Sequence, residues 1–504
     1  MKSELKIHNS LTREKEVFKP IHEDHVGMYV CGPTVYSDVH LGNCRTFVGF
    51  DVIFRYLKYL GYQVRYVRNI TDVGHLEGDV DIGAEDKISK KARLEQLEPM
   101  EIVQQYMNGF HEMMRIFNTQ TPSIEPRATG HIIEQIEMVK GIIDNGYGYE
   151  VNGSVYFDTK QFMEDHPGVY GRLSGRKVDE LLSETRDDLK NQGEKRHPSD
   201  FAIWIKAEPS HIMRWKSPWS EGFPGWHLEC STMSTKYLGK TFDIHGGGND
   251  LKFPHHENEV AQNYGACSCG PANYWIHGNM LLLEGKKMSK SEGNSITPEQ
   301  LFSGDSPHIS KGYSSMVVRF FMLQSHYRST LDLTDDALHA AEKGYRRLME
   351  ANKLLQEMKH PGKGQAGDLD KELNELIGQV HTEMNDDFNT PKALARLFEL
   401  VTKVNSIKDG HLNMASLTPD TLQRLQRTFQ DFIFDVFGLK DDTTAGENGA
   451  GEVIDGLMEL IIDIRQEARA NKDWATSDKV RDTLKELNIQ LKDSKEGTSW
   501  TIGE

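Results

Sequence analysis

The stretch VGMYVCGPTVYSDVHLGNCRTFVGFDVIFRYLKYLGYQVRYVRNITD, running from Val26 to Asp72, decides the fold. Residues 26–31 (VGMYVC) are an apolar run of strand length, and Gly32-Pro33 reads as a turn. From 41 to 60 the period changes: Phe47, Phe50, Phe54 and Leu57 recur on one helical face, and Gly61 supplies the stop. Gln63 to Asp72 is again rich in β-branched and aromatic residues. Strand, helix and strand in that order make a βαβ unit of a parallel sheet.

A second such pattern lies far along the chain. Thr241 to His245 (TFDIH) reads as a strand, Gly246-Gly247-Gly248 as a turn, and Pro254 to Tyr264 as a helix ending before Gly265, with Pro254 suited to the first helical position. Between the halves, short strand signals such as SVYFD and the polar run Asp179 to Arg196 read as an inserted domain. The expected fold is therefore a Rossmann-like α/β domain whose one parallel sheet is interrupted by an insertion. After about residue 315 apolar spacing turns helical, over 316–323, 335–358, 371–405 and 419–437, with a loop at 361–367 (PGKGQAG). The run Asp441 to Gly451 reads as a linker. The expected division is 1–125 and 216–300 for the two halves of the sheet domain, 126–215 for the insertion, 301–345 for the segment that follows the second half, 346–440 for an α-helical bundle, 441–451 for the linker and 452–504 for a small C-terminal α+β module.

With 504 residues the chain exceeds what one core usually supports, which agrees with that division. No run approaches the roughly 18 apolar residues of a spanning helix, and MKSELKIHNSL lacks the apolar core of a signal peptide. A cytoplasmic protein with no membrane contact is expected. The net charge of −17 argues against broad, nonspecific nucleic-acid binding, so any such site must be local. Five scattered cysteines, Cys31, Cys44, Cys230, Cys267 and Cys269, do not suit a disulfide framework; metal binding or burial is expected of them.

Two segments suit phosphate. A helix opening at His40-Leu41-Gly42-Asn43 points free N–H groups and its positive dipole end outward. His40 can donate a ring proton, Gly42 allows close approach of a nucleotide, and Asn43 adds an amide donor; His40 as a plain helix cap is the competing account. In Glu284 to Asn294 (EGKKMSKSEGN), Lys287 and Lys290 can neutralise charge growing on a leaving pyrophosphate, against the alternative of a solvated lysine patch. Gly247 and Asp250, after the second-half strand, can admit an adenosine, with Asp250 accepting from a ribose hydroxyl.

A third constellation suits a metal. His255 and Glu259 stand four apart on one predicted helix face, and Cys230 lies nearby in sequence. With Cys31 they would offer two thiolates, an imidazole and a carboxylate, donors that Zn²⁺ accepts, yet nothing in the spacing selects Cys31. A rival set uses His255 or His256 with Cys267 and Cys269.

The segments HLGN and KMSKS resemble the two signatures of class I aminoacyl-tRNA synthetases, the first departing where Asn43 stands in place of histidine. With CGPTVY, PGWHLECS and DIHGGGNDLKFPHHENE, most of the chain resembles the cysteinyl-tRNA synthetase family within that class. The resemblance implies activation of L-cysteine by ATP, with magnesium accompanying the nucleotide, and transfer to the 3′-terminal adenosine of tRNA(Cys). It also implies one zinc per chain on Cys31, Cys230, His255 and Glu259, leaving out His256, Cys267 and Cys269, and an ATP contact at Lys290. Thr71 and Trp226 are expected to contact the amino acid, and Arg319 and Arg328 to lie in the stem-contact region. Trp500, beside the basic run 465–482, is expected either to stack on an anticodon base or to pack in a small core. No obligate protein partner is expected. The cysteine ligase of mycothiol biosynthesis shares the catalytic half of this pattern, but the helical bundle and C-terminal module argue against it; the intact lysine loop and donor set argue against an idle tRNA-binding paralogue.

Overall fold

Val26, Met28, Tyr29 and Val30 are all buried, as a strand covered on both faces requires, and they lie in β3 (His25–Val30). The computed structural model describes residues 4–502 apart from 74–86, 96, 177–193, 210, 289–292, 363–365, 443–457, 459, 470, 472, 487–488 and 495–496. A hairpin of β1 (Lys6–Asn9) and β2 (Glu14–Val17) precedes β3. After it come α1 (Leu41–Tyr59), which buries Phe47, Phe50, Phe54 and Leu57, and β4 (Gln63–Arg68).

Beyond two helices at Lys87–Glu95 and Pro99–Ile116 come helix α2 (Ile132–Asp144) and the strands β5 (Gly148–Val151), β6 (Ser154–Phe157), β7 (Phe201–Lys206), β8 (Trp215–Lys216) and β9 (Glu221–Pro224). They form an antiparallel sheet in the order β5-β6-β7-β9-β8. This sheet is the expected insertion, but it continues to Pro224, past the boundary expected at 215, because β9 pairs with both β7 and β8.

The chain then returns through α3 (Trp226–Leu238), β10 (Phe242–Gly248), α4 (His255–Cys267) and β11 (Ala272–Gly278). The order β11-β10-β3-β4, parallel throughout, joins the two halves in one sheet. Two local expectations fail here. Gly246, Gly247 and Gly248 are not a turn; they continue β10, in register with Ile276, His277 and Gly278. A Cβ on Gly246 would lie 2.2 Å from the Phe50 ring, so the glycine exists to let α1 approach the sheet. Gly246→Ala is expected to destabilise the domain by about 3 kcal/mol through overpacking, checked by denaturant unfolding. Nor does Gly265 end α4, which runs on to Cys267 with left-handed Ser268 as its cap; Pro254 is the N-cap residue rather than the first helical one.

Beyond β11, β12 (Leu281–Leu283) turns into β13 (Lys286–Lys287), and β12 pairs in parallel with β14 (Leu331–Leu333). Helix α5 (Ser315–Leu323) lies between them in sequence. The bundle consists of α6 (Asp335–Glu357), α7 (Asp368–Asn385), α8 (Thr390–Lys408) and α9 (Pro419–Gln430), so the expected boundary at 345/346 falls inside α6. The helix expected over 371–405 is two: Asp387 and Phe388 adopt φ of 66° and 52°. Asp387 is held there by His8 N, Tyr327 Oη and Arg328 Nε, at 2.9, 2.7 and 2.7 Å.

Arg319 is not a surface base of a stem-contact region. It is fully buried, donates to Asp51 Oδ2 at 2.5 Å and to the carbonyls of Phe437 and Phe117, and ties α5 to α1 and to the end of the bundle.

Residues Met1–Lys440 form one compact unit and Asp441–Glu504 another. The second contains α10 (Trp474–Glu486) and the antiparallel pair β15 (Ile489–Ser494) and β16 (Gly497–Ile502), an α+β make-up. Most of the expected linker lies outside the described residues. No helix among the described residues is long and apolar enough to cross a membrane.

Candidate active site and metal centre

In an open parallel sheet, ligands bind beyond the carboxyl ends of the strands. Cys31 sits at that end of β3, its N–H donating to Gly246 O at 3.0 Å, and Asn69 follows β4, its Oδ1 accepting from Gly32 N at 2.9 Å. Helices α3 and α4 carry Cys230, His255 and Glu259 to the same edge.

The donor atoms of Cys31, Cys230, His255 and Glu259 lie within 4.8 Å of one another, and all four residues are buried. Cys31 Sγ is 3.6 Å from Cys230 Sγ and 3.6 Å from Glu259 Oε1. His255 Nε2 is 3.4 Å from Cys230 Sγ and 3.2 Å from Glu259 Oε1. Zinc bonds of about 2.0–2.3 Å give tetrahedron edges of about 3.3–3.8 Å, so the donor set fits zinc in chemistry and in size. Burial pushes the Cys31 thiol well up, and the Cys230 thiol and Glu259 carboxyl up as well. Each charged neighbour adds to the cost of ionising Cys31 and Cys230, and a cation between them reverses that cost.

A second set, Cys31, His245, His256 and Glu259, overlaps the first. His256, left out by the sequence reading, stands with Nε2 3.2 Å from Cys31 Sγ and Nδ1 2.9 Å from His277 Nε2. His245 Nε2 lies 2.8 Å from Glu259 Oε2 and orients that carboxylate. His245 and His277 also escaped the reading. The available signal was polar side chains inside otherwise apolar strands, TFDIH and NYWIH. The rival set with Cys267 and Cys269 is not assembled: Cys267 stands twelve positions along the helix from His255, about 18 Å.

Around this centre, the Trp226 ring lies 4.3 Å from that of His255, centroid to centroid. Thr71 is buried and its Oγ1 accepts from Asn69 Nδ2 at 3.1 Å; Asn69 Oδ1 in turn lies 3.7 Å from Cys230 Sγ.

The phosphate segment opens α1. His40 is its N-cap, accepting from Asn43 N–H through Nδ1 at 3.3 Å, which leaves the neutral ring's proton on Nε2. Capping and donation are thus compatible. A Cβ on Gly42 would lie 3.0 Å from His40 Nδ1, so this glycine admits the folded-back ring. Gly247, next to last in β10, lies beside His256, and Asp250 is exposed in the short turn Asn249–Lys252. Lys287 is exposed on β13; Lys290 lies outside the described residues. Arg328 is half-buried, its Nε spent on Asp387. Trp500 stands opposite Leu491 in the C-terminal strand pair, and its side chain lies outside the described residues.

Against known families, a profile described as tRNA synthetases class I (C) catalytic domain matches residues 17–343, and one for the DALR domain matches 379–440. A cysteine-tRNA ligase of Bacteroides thetaiotaomicron is 52% identical over 507 residues, covering 100% of both chains. That of Parabacteroides distasonis is 54% identical over 504 residues, again covering 100% of both. Among solved structures, Mycobacterium tuberculosis methionyl-tRNA synthetase in complex with methionyl-adenylate superposes with TM-score 0.57 at 14% identity, covering 82% of this chain and 89% of that one. At that identity the likeness concerns the fold.

Proposed function

The chain belongs to the cysteine-tRNA ligase family of class I tRNA synthetases, and on that premise we propose how its own residues divide the work. The activity is ATP-dependent joining of L-cysteine to tRNA(Cys). The observation that carries the finer reading is the buried set of two cysteines, a histidine and a glutamate at the carboxyl edge of the sheet.

Cys31, Cys230, His255 and Glu259 would hold one zinc ion; this set is preferred over the one with His245 and His256 because it has both soft thiolates. When bound, zinc supplies a soft Lewis acid whose affinity for a substrate thiolate separates cysteine from serine, a distinction that pocket volume makes poorly. His245 holds the Glu259 carboxylate in place. Trp226, whose ring lies against that of His255, and the buried Thr71, three residues after β4, are assigned to the amino-acid pocket.

Activation needs the cysteine carboxylate to attack the ATP α-phosphate and expel pyrophosphate. The carboxylate is already ionised at neutral pH, so positioning and charge stabilisation suffice. The α1 N-terminus, with Nε2–H of His40 and the amide of Asn43, receives phosphate oxygens. Gly247 and Asp250 border the adenosine, and Lys287 and Lys290 stabilise the departing pyrophosphate, with magnesium accompanying ATP. Transfer of cysteine to the 2′-hydroxyl of the terminal adenosine follows. Arg328, through the guanidinium nitrogens not held by Asp387, and Trp500 are proposed tRNA contacts.

Two measurements test this reading. Purified protein should catalyse cysteine-dependent ATP–pyrophosphate exchange and then charge tRNA(Cys); exchange without charging would refute the second half. Zinc affinity should rise between about pH 6 and pH 8, because the raised thiols of the metal-free protein hold protons that the ion must displace. Competition with a chelator of known pH dependence measures this, and a flat or falling affinity would contradict the ligand set.

A further inference from the structure

Arg45 follows the phosphate segment by two residues on α1 and is 5% exposed. Its guanidinium meets four backbone carbonyls. Nη1 donates to Asn279 O at 3.1 Å and to Met280 O; Nη2 donates to His326 O at 3.4 Å and to Ser329 O. These carbonyls belong to two loops. One runs from β11 into β12, and the other runs into β14. The same loops are tied to each other by Asn279 N to Tyr327 O at 2.8 Å, Asn279 Nδ2 to Arg328 O at 2.9 Å and Leu331 N to Met280 O at 3.2 Å.

β12 and β14 are the parallel pair on which the lysine hairpin is built: β12 turns at Glu284-Gly285 into β13, which carries Lys287. The turn is fixed on β14 as well, through Gly285 N to Asp332 Oδ1 at 2.7 Å and Glu284 N to Leu333 O at 3.1 Å. One planar cation thus grips the entry to both strands, from the helix whose first turn carries His40 and Asn43. A flat guanidinium with five donors can serve four carbonyls in two loops at once; an ammonium with three cannot.

We propose that Arg45 is a positioning residue for adenylation: it fixes the lysine hairpin relative to His40–Asn43, so that both phosphate-handling segments meet one triphosphate. This rests on the reading that Lys287 acts on the departing pyrophosphate. Burial pulls Arg45 down only to about 10, so it stays a cation at neutral pH. Its charge is spent on the protein's own carbonyls, which makes its role one of spacing, and misplacement of a reacting group by about 1 Å can cost about a hundredfold in rate.

The test is a double-mutant cycle on the zinc-loaded full chain, with Arg45→Lys, Lys287→Ala and both together. Zinc content, cysteine affinity without ATP, and single-turnover adenylation at saturating substrates are measured for each. Arg45→Lys is expected to keep zinc and cysteine affinity, leave the KM for ATP within about twofold, and slow adenylation about a hundredfold. In the Lys287→Ala background the same change should cost clearly less than that hundredfold, because one of the two lysines the hairpin aims is already gone. Full adenylation by Lys287→Ala would defeat the hairpin's phosphate role itself. A slow Lys287→Ala beside a full-rate Arg45→Lys, or effects that simply multiply, would overturn the positioning role alone. If Arg45→Lys does not fold, Asn279→Ala, which removes the amide's donation to Arg328 O across the two loops and its acceptance from Met280 N, should show the same rate defect at smaller size; a wild-type rate there overturns the proposal.

Discussion

Cys230→Ser is expected to remove bound zinc and cysteine-dependent ATP–pyrophosphate exchange together. Cys230 is buried in α3, where its Sγ lies near three other donors and near Asn69 Oδ1. A serine hydroxyl fits the space and has Asn69 as a partner, so the fold should hold. It is, however, a hard oxygen that does not ionise readily, and the site loses one of its two soft ligands. The loss in zinc affinity should exceed the roughly 10- to 100-fold that removal of an outer hydrogen-bonding partner costs. Metal analysis after dialysis against a weak chelator reads the first effect, and exchange assays the second. Cys267→Ser, at the far end of α4, is the matched control and should keep both. Retention of zinc and exchange by Cys230→Ser would refute the ligand assignment.

Lys290→Ala is the second large effect, and it should separate chemistry from binding. A cation aimed at charge that develops only as pyrophosphate leaves contributes to the transition state and little to the ground state. Loss of one such group costs about 10²- to 10³-fold in rate. Single-turnover adenylation should therefore slow by that order, while cysteine affinity and zinc content stay unchanged. A variant that binds cysteine weakly but adenylates at the normal rate would show the reverse division and reject the role.

The parts of the fold that were legible in sequence are those dictated by local pattern. The apolar run 26–30, the helical spacing of Phe47, Phe50, Phe54 and Leu57, and the β-branched run after Gly61 each announce their element, and the parallel sheet follows from their order. The misreadings share one cause, a residue whose purpose is tertiary. Gly246 looks like a turn but makes room for Phe50, which stands about two hundred residues earlier in the chain. Gly265 looks like a stop, yet a Cβ there would lie 2.9 Å from the Phe157 ring of the inserted sheet. Arg319 looks like a basic surface residue because charge in a sequence says nothing of burial, and its partner Asp51 stands 268 positions away. The break at Asp387 has no local signature either; it is imposed by His8, Tyr327 and Arg328.

The candidate site divides in the same way. Helical spacing alone placed His255 and Glu259 on one face, and their ring nitrogen and carboxylate oxygen stand 3.2 Å apart. Cys31 and Cys230 were chosen by resemblance, since 199 residues separate them and only the parallel sheet brings their sulfurs to 3.6 Å. Arg45 went unnoticed because its partners are backbone carbonyls, which no motif records.

Zinc-edge X-ray absorption of the purified protein, with and without L-cysteine, tests the account most directly. The zinc ion is expected to see the two sulfurs of Cys31 and Cys230 in the free protein and one sulfur more with L-cysteine bound, with no such change on adding L-serine. A sulfur count that L-cysteine leaves unchanged would contradict it.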